Sequence, residues 1–325
     1  MRAYLYIKGK AIFWRSRTIK PVIAFVLAGG NAGEFRTNNE PYRKALLPVG
    51  GRPVADYMIQ ALEKSAVEKI FIVQDEDSDL QRVLTPSSKA IFITKDKQHA
   101  SVATGTLFAI EKVAEYYGRS DLGQKTIMIV PCDAPLVTPQ NINALVNKTA
   151  NTSADVIMTI IASERLNLRF PQKHFRGVYL SDEKAYYTMQ NVLFVAGDFI
   201  QYDPLINTGN LKITFRNWRD GTFTSLVESL DSIERSRNKP IFLEKLFIGW
   251  LFNKVYAYYV IRLLIDMVFR HVTMARLIKY LNGADQMQAG YIISEEVEFS
   301  ADIDTPEDYR LVTGVPWQNE IYKMM

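Results

Sequence analysis

From Lys20 onward, short unbroken apolar runs alternate with stretches whose apolar residues recur at helical spacing. The runs at 21–28 (PVIAFVLA), 69–73 (KIFIV), 90–93 (AIFI) and 126–130 (TIMIV) are β-branched and aromatic, apolar on both sides, and predict buried strands. Between them, 54–65, 103–117 and 139–148 carry the three-to-four-residue period of amphipathic helices. Strand and helix in alternation imply βαβ units and a mostly parallel sheet covered on both faces. The pattern resumes with strands at 154–161, 177–179 and 191–195, a turn at 181–184, and a C-terminal return to the sheet over 291–304. In such sheets ligands sit at the carboxyl ends of the strands, so the chemistry is expected in the loops after Ala28 and Val130.

Two stretches depart from this pattern. Residues 1–19 form a basic extension whose apolar pieces, 3–7 and 11–14, are too short and interrupted for a signal peptide. It reads as a short strand or an irregular arm, with contact to an acidic membrane surface as the competing reading. Residues 241–281 are aromatic and amphipathic, and six Lys or Arg against two acids give 6 − 2 = +4. No run there approaches the roughly 18 residues of a membrane span. The stretch fits either an interfacial helix pair or helices packed on the domain or on a second copy of the chain. The expected organisation is an extension (1–19), a catalytic domain (20–237), an amphipathic helical insertion (238–289) and a return to the catalytic domain (290–325).

Of the 325 residues, 48% are hydrophobic and 23% charged, which excludes collagen-like, disordered and disulfide-rich classes. The net charge, 39 − 35 = +4, is too weak to imply nucleic acid and none is expected as a partner. A single cysteine, Cys132, allows neither an internal disulfide nor a cysteine zinc site, and a reducing, cytoplasmic setting is expected, peripheral to the inner face of the membrane if the 241–281 helices bind lipid.

Directly after the first strand comes Leu27-Ala28-Gly29-Gly30-Asn31-Ala32-Gly33-Glu34-Phe35-Arg36. Glycines at a strand end let backbone N–H groups approach phosphates closely, and Arg36 adds a cation to pair with them; alone, the stretch reads equally well as a tight βα turn. Lys44 follows 14 residues after Gly30, ahead of a Pro-Val-Gly-Gly turn into a helix. A lysine returned beside the glycine loop can neutralise charge building on a leaving pyrophosphate.

The pair of motifs resembles the nucleotidyltransferases of the molybdenum-cofactor guanylyltransferase-like family, whose fingerprint is a strand, LAGGxGxR, then a PKxLxPVxGxP-like stretch. The resemblance implies a three-layer α/β/α, Rossmann-like nucleotidyltransferase fold on a mixed sheet, here with an added amphipathic helical segment. It also implies a nucleoside triphosphate held by Leu27, Ala28, Gly29, Gly30 and Gly33. Asp133 ends a buried strand in Val130-Pro131-Cys132-Asp133-Ala134-Pro135-Leu136, and one carboxylate aimed from a strand end suits Mg²⁺, which keeps most of its waters. The family has Asp-x-Pro-Leu here, which makes Asp133 the metal aspartate; a cap on the following helix is the plainer reading. Asp302-Ile303-Asp304-Thr305-Pro306-Glu307-Asp308-Tyr309 resembles the family's closing acidic motif. In an extended segment Asp302 and Asp304 share one face, and Asp304 is the favoured second metal ligand, with Asp302 next to it. A helix cap by Asp304 or Thr305 is compatible with that role.

This chain departs from the family pattern in having five residues, rather than three, between Gly30 and Arg36, and in the long apolar insertion. Residues 98–108 (QHASVATGTLF) stand where relatives place small and hydroxyl residues around the base, which points to Ser101, Thr104 and Gly105, although a plain helix N-terminus accounts for them too. Arg165, Arg169, His174, Arg176 and Asn191 are expected to contact an anionic acceptor, phosphorylated or lipid-linked, or else form a charged surface loop. The expected reaction is Mg²⁺-dependent transfer of NMP from an NTP to a phosphate or hydroxyl, releasing pyrophosphate. A glycosyltransferase using a nucleotide sugar and a catalytically degenerate nucleotide-binding module at a membrane are the competing readings.

Overall fold

The computed structural model describes residues 3–7, 10–14, 20–29, 31–37, 40–76, 78, 80–96, 102–150, 152, 154–173, 175, 177–197, 272–276, 278–279 and 288–316. Gly30, Ser101, His174, Arg176 and residues 241–271, singled out above, lie outside them.

Ala3–Ile7 (β1) and Lys10–Trp14 (β2) pair as an antiparallel hairpin separate from the main sheet. The central sheet takes its core from Val22–Leu27 (β3), with Lys69–Asp75 (β8) and Ala90–Lys95 (β9) parallel on one side. Thr126–Pro131 (β10) lies parallel to β3 on the other side. Beyond it come Ala185–Ala196 (β13), antiparallel to β10, then Val156–Ala162 (β11) and Ala289–Ile293 (β14). Val178–Leu180 (β12) pairs with β13 and completes eight strands among the described residues. The sheet is mixed and mostly parallel, as the alternation of strand and helix implies.

The two faces of β3 explain the layers. Val22, Ala24 and Val26 join one apolar cluster with Met58, Ile59 and Leu62 of Val54–Glu63 (α1) and Ile142 and Leu145 of Pro139–Thr149 (α5). Ile23 and Phe25 point the other way, into a cluster with Ala109, Ile110 and Val113 of Val102–Tyr117 (α3). Strictly alternating residues that are all buried require a cover on each face, which gives helix, sheet and helix layers.

Two predicted elements differ in extent or kind. Strand β13 begins at Ala185, six residues before the expected 191, because its first half is polar and half-exposed and is held by pairing with β12 and β11 rather than by an apolar run. The glycine-rich stretch does not close as a tight βα turn. Asn31–Thr37 (β4) runs back antiparallel to Glu40–Arg43 (β5), with the register broken between Ala32 and Arg36, so the excursion is a ribbon anchored by the buried Phe35. Within the expected helical insertion, Val272 and Met274 are buried against Ile160, Val178 and Leu180, and the Ser181 N–H donates to the Val272 carbonyl at 2.7 Å. Among the described residues no helix is long and apolar enough to cross a membrane.

Candidate active site

The site lies beyond the carboxyl ends of β3 and β10, which run in register with Leu27 opposite Pro131. Asp133, two residues past the end of β10, is only 2% exposed. Lys44 reaches it from a single 3₁₀ turn, Lys44–Leu46, whose carbonyl accepts from the Leu47 N–H at 3.1 Å. The turn is fixed from behind. Leu47 is fully buried, and the tight hairpin of Pro48–Val49 (β6) and Arg52–Pro53 (β7) turns through Gly50 and Gly51, whose φ values of 54° and 78° are costly for other residues.

The third strand of chemistry comes from the far end of the chain. The Ile303 N–H donates to the Asp133 carbonyl at 3.0 Å, so the extended segment 301–304 lies against the Asp133 loop. Ile303 is buried in a cluster with Phe35, Leu47, Val49, Val54 and Tyr309. Asp302 and Asp304, flanking it, share the opposite face. Pro306–Thr313, the closing helix of the described residues, follows at once, capped by Thr305 and Asp308 reciprocally. Tyr309 on that helix donates its hydroxyl to the Pro48 carbonyl and packs edge-to-face on Phe35 at 6.2 Å.

The result is one knot of charge. The Lys44 ammonium pairs with both Asp133 and Asp304. Carboxylate oxygens of Asp133, Asp302 and Asp304 lie within 4.8 Å of one another. Asp302 accepts from Asn191 Nδ2 at 2.9 Å and has Lys173 Nζ 3.7 Å away; Lys173 also pairs with Asp308 at 2.9 Å. Burial alone would push the Lys44 pKa down, but Asp133 and Asp304 outweigh it and hold it above the ordinary lysine value. Burial raises the Asp133 pKa against the opposing pull of Lys44. Asp302 is pushed up to about 7 by burial and then by the carboxylates of Asp304 and Asp133. Burial would raise Asp304 as well, yet Lys44 keeps it below the usual carboxylate range.

A family model for the MobA-like NTP transferase domain matches residues 24–199, more than half of the chain. The chain belongs to that family. This transferase is also similar to a hypothetical transferase structure from Thermus thermophilus, with a TM-score of 0.55 and 18% identity over 89% of this chain and 99% of that one. That likeness concerns the fold. A 4-diphosphocytidyl-2C-methyl-D-erythritol synthase from Anaerococcus prevotii DSM 20548 gives a TM-score of 0.44 at 12% identity, over 91% of this chain and 96% of that one. Among curated proteins none matches the sequence.

The sequence-derived candidates distribute unevenly over this transferase. Lys44, Asp133, Asp302, Asp304 and Asn191 meet in one place. Leu27, Ala28 and Gly29 border it at the end of β3, where the Ala28 N–H donates to the Val73 carbonyl at 2.9 Å. Gly33 and Arg36 lie in the β4 ribbon, and Arg36 pairs in register with Pro41. Thr104 and Gly105 fall in the first turn of α3. Arg165 and Arg169 are on the helix Ser163–Arg169, where Arg165 lies 3.7 Å from Glu295 and the Arg169 guanidinium stands 5.6 Å from the Phe170 ring.

Two groupings escaped the sequence reading. Lys173 is one; a lone lysine in a charged loop carries no pattern. The other is Asp75, which pairs with Lys95 at 2.7 Å and Arg43 at 3.2 Å beside Gly29. A Cβ on Gly29 would come within 2.7 Å of Lys95 Cε and 3.0 Å of Asp75 Oδ1, so a larger residue there would have to displace the ends of these side chains. Their strand-end positions in β8 and β9 were the available signal.

Proposed function

We propose that this transferase moves a nucleoside monophosphate from an NTP to a phosphate or hydroxyl acceptor, releasing pyrophosphate, with Mg²⁺ as its cofactor. The observation that carries the reading is the meeting of Lys44 with Asp133, Asp302 and Asp304 at the carboxyl ends of β3 and β10. An attacking acceptor oxygen forms a bond to the α-phosphorus while the bond from that phosphorus to the bridging oxygen breaks, and pyrophosphate leaves with the electron pair. Such a reaction asks the protein mainly for positioning and charge stabilisation.

The donor set fits the ion. Three carboxylates are gathered around Lys44, with Lys173 shared between Asp302 and Asp308, and burial first, then the neighbouring carboxylates, raise the pKa of Asp302. Mg²⁺ takes hard oxygen donors and needs only one or two of these carboxylates, alongside water and substrate phosphate. Asp133, Asp302 and Asp304 would hold the ion, which when bound neutralises phosphate charge. Lys44, the cation paired with these carboxylates, would stabilise the charge of the leaving pyrophosphate. The backbone at Gly29, on the end of β3, would face the triphosphate.

The test is pyrophosphate release from each of ATP, GTP, CTP and UTP with and without Mg²⁺, in the presence of a mixture of soluble phosphate esters and polyols as acceptors. Asp133→Ala is expected to lower the rate at least about a hundredfold, the scale of losing one preorganised electrostatic contact. It removes a carboxylate whose charge burial disfavours but also one of the two partners of Lys44, so a melting curve of the variant accompanies the assay to separate loss of chemistry from loss of fold. Equal pyrophosphate release from parent and variant would refute the assignment.

A further inference from the structure

Three carboxylates whose oxygens lie within 4.8 Å of one another are more than a single Mg²⁺ needs, and carboxylates so closely spaced can also serve a pair of ions. The chain's own cations decide how many it takes. Lys44 pairs with Asp133 and Asp304, which leaves Asp302 as the odd member. Asp302 is met by other groups: its Oδ2 accepts from Asn191 Nδ2 at 2.9 Å, and its Oδ1 lies 3.7 Å from Lys173 Nζ. Lys173 is held where it stands. It follows the Ser163–Arg169 helix, its N–H donates to the Phe170 carbonyl at 3.0 Å, and its ammonium is 5.5 Å from the centre of the Phe175 ring and 2.9 Å from Asp308 Oδ1. Asp308 is itself fixed, because its Oδ2 caps the closing helix, accepting from the Thr305 N–H at 3.0 Å and the Thr305 hydroxyl at 2.9 Å.

We propose that Lys173 is a positioning residue that stands in for a second divalent cation, so that the carboxylate cluster takes one ion and no more. The inference rests on the Mg²⁺ reading above for the first ion. Its charge balance is short. Asp133, Asp302, Asp304 and Asp308 against Lys44 and Lys173 give 2 − 4 = −2, which one divalent ion neutralises. A second ion would bring the cluster to +2 and would meet the Lys173 ammonium beside Asp302, and like charges repel strongly where water screens them poorly. Without Lys173 the balance falls to −3, and Asp302 keeps only the neutral amide of Asn191 on its Oδ2, with its Oδ1 open to a second hard cation. Lys173 thus acts through Asp302 rather than on substrate. A mobile surface lysine would not serve, since an ion displaces a loose ammonium at little cost. The contacts with Asp308 and the Phe175 ring are what make displacement unfavourable.

The experiment counts Mn²⁺ ions bound to the full, nucleotide-free chain by electron paramagnetic resonance, with displacement by Mg²⁺ showing that the two metals share the site. The parent should bind one ion and Lys173→Gln two. Lys173→Arg should keep the count at one. Asp302→Asn placed on Lys173→Gln should return it to one, which a mere loosening of the closing helix does not predict. A melting curve accompanies each protein; if Lys173→Gln unfolds, Lys173→Met, which keeps an aliphatic stem beside Phe175, takes its place. One ion in both parent and variant, or two in both, would overturn the role given to Lys173 and leave the metal reading standing. No ion bound by either would refute the metal reading, and this inference with it.

Discussion

Glu63 shows what a carboxylate far from the charge knot contributes to holding the strands in place. It accepts from the hydroxyls of Ser87 and Ser88 and from the Lys89 N–H at 3.2 Å, tying the end of α1 to the turn before β9. Partial burial works against its charge, but these donors win and hold its pKa below the ordinary glutamate value. Because the folded-state pKa is the lower one, the contribution is complete above the unfolded value of about 4.5 and fades as pH falls through the folded value. The stability gap between the parent and Glu63→Gln, read from urea unfolding, should therefore be present at pH 7 and close in acid below pH 4.5; a gap independent of pH would contradict this. Single residues also divide by how readable they are. Lys44 and Asp133 stand in motifs whose spacing announces them, whereas Lys173 acquires its meaning only from Asp302 and Asp308, more than a hundred residues away.

Helix caps illustrate the next level of organisation. Thr138 and Asn141 cap α5, and Thr305 and Asp308 cap the closing helix, each with the reciprocal side-chain bonds that satisfy two N–H groups at once. Both begin Thr-Pro, and both were legible, because a capping residue followed by proline at the first helical position is a local signal. The second cap also bears on chemistry, since the Asp304 N–H donates to Asp308 at 3.3 Å. Thr305→Ala should cost about 1 kcal/mol in stability, and, by loosening Asp304, should depress pyrophosphate release more than the stability loss explains; a stable variant with full turnover would count against that link. The ribbon of β4 and β5 was less legible. Glycines at a strand end favour a turn, and only Phe35, buried against Tyr309 and Leu47, betrays that the excursion has a core of its own. That contact is with residues distant in sequence, so no local pattern contains it.

Across the whole molecule, the sheet was readable from alternating runs, while its join to the site was not. The antiparallel course of β13 and the docking of 301–309 on the Lys44 turn depend on contacts between distant segments. Tyr309 bears much of that docking. Tyr309→Phe leaves the Pro48 carbonyl without its buried donor and should cost about 1–3 kcal/mol, together with a drop in pyrophosphate release because Lys44 and Asp304 sit on the two surfaces that it joins. Unchanged stability in chemical denaturation would show that the hydroxyl is replaceable. The distance in sequence between these partners has a bearing on synthesis. A ribosome that has passed Ser300 has made every described strand of the main sheet and the glycine stretch, yet Asp302, Asp304 and the helix that holds them are still to come. Asp304 thus meets Lys44 only after the 260 residues that separate them have been made, and the charge knot is the part of the architecture that assembles late.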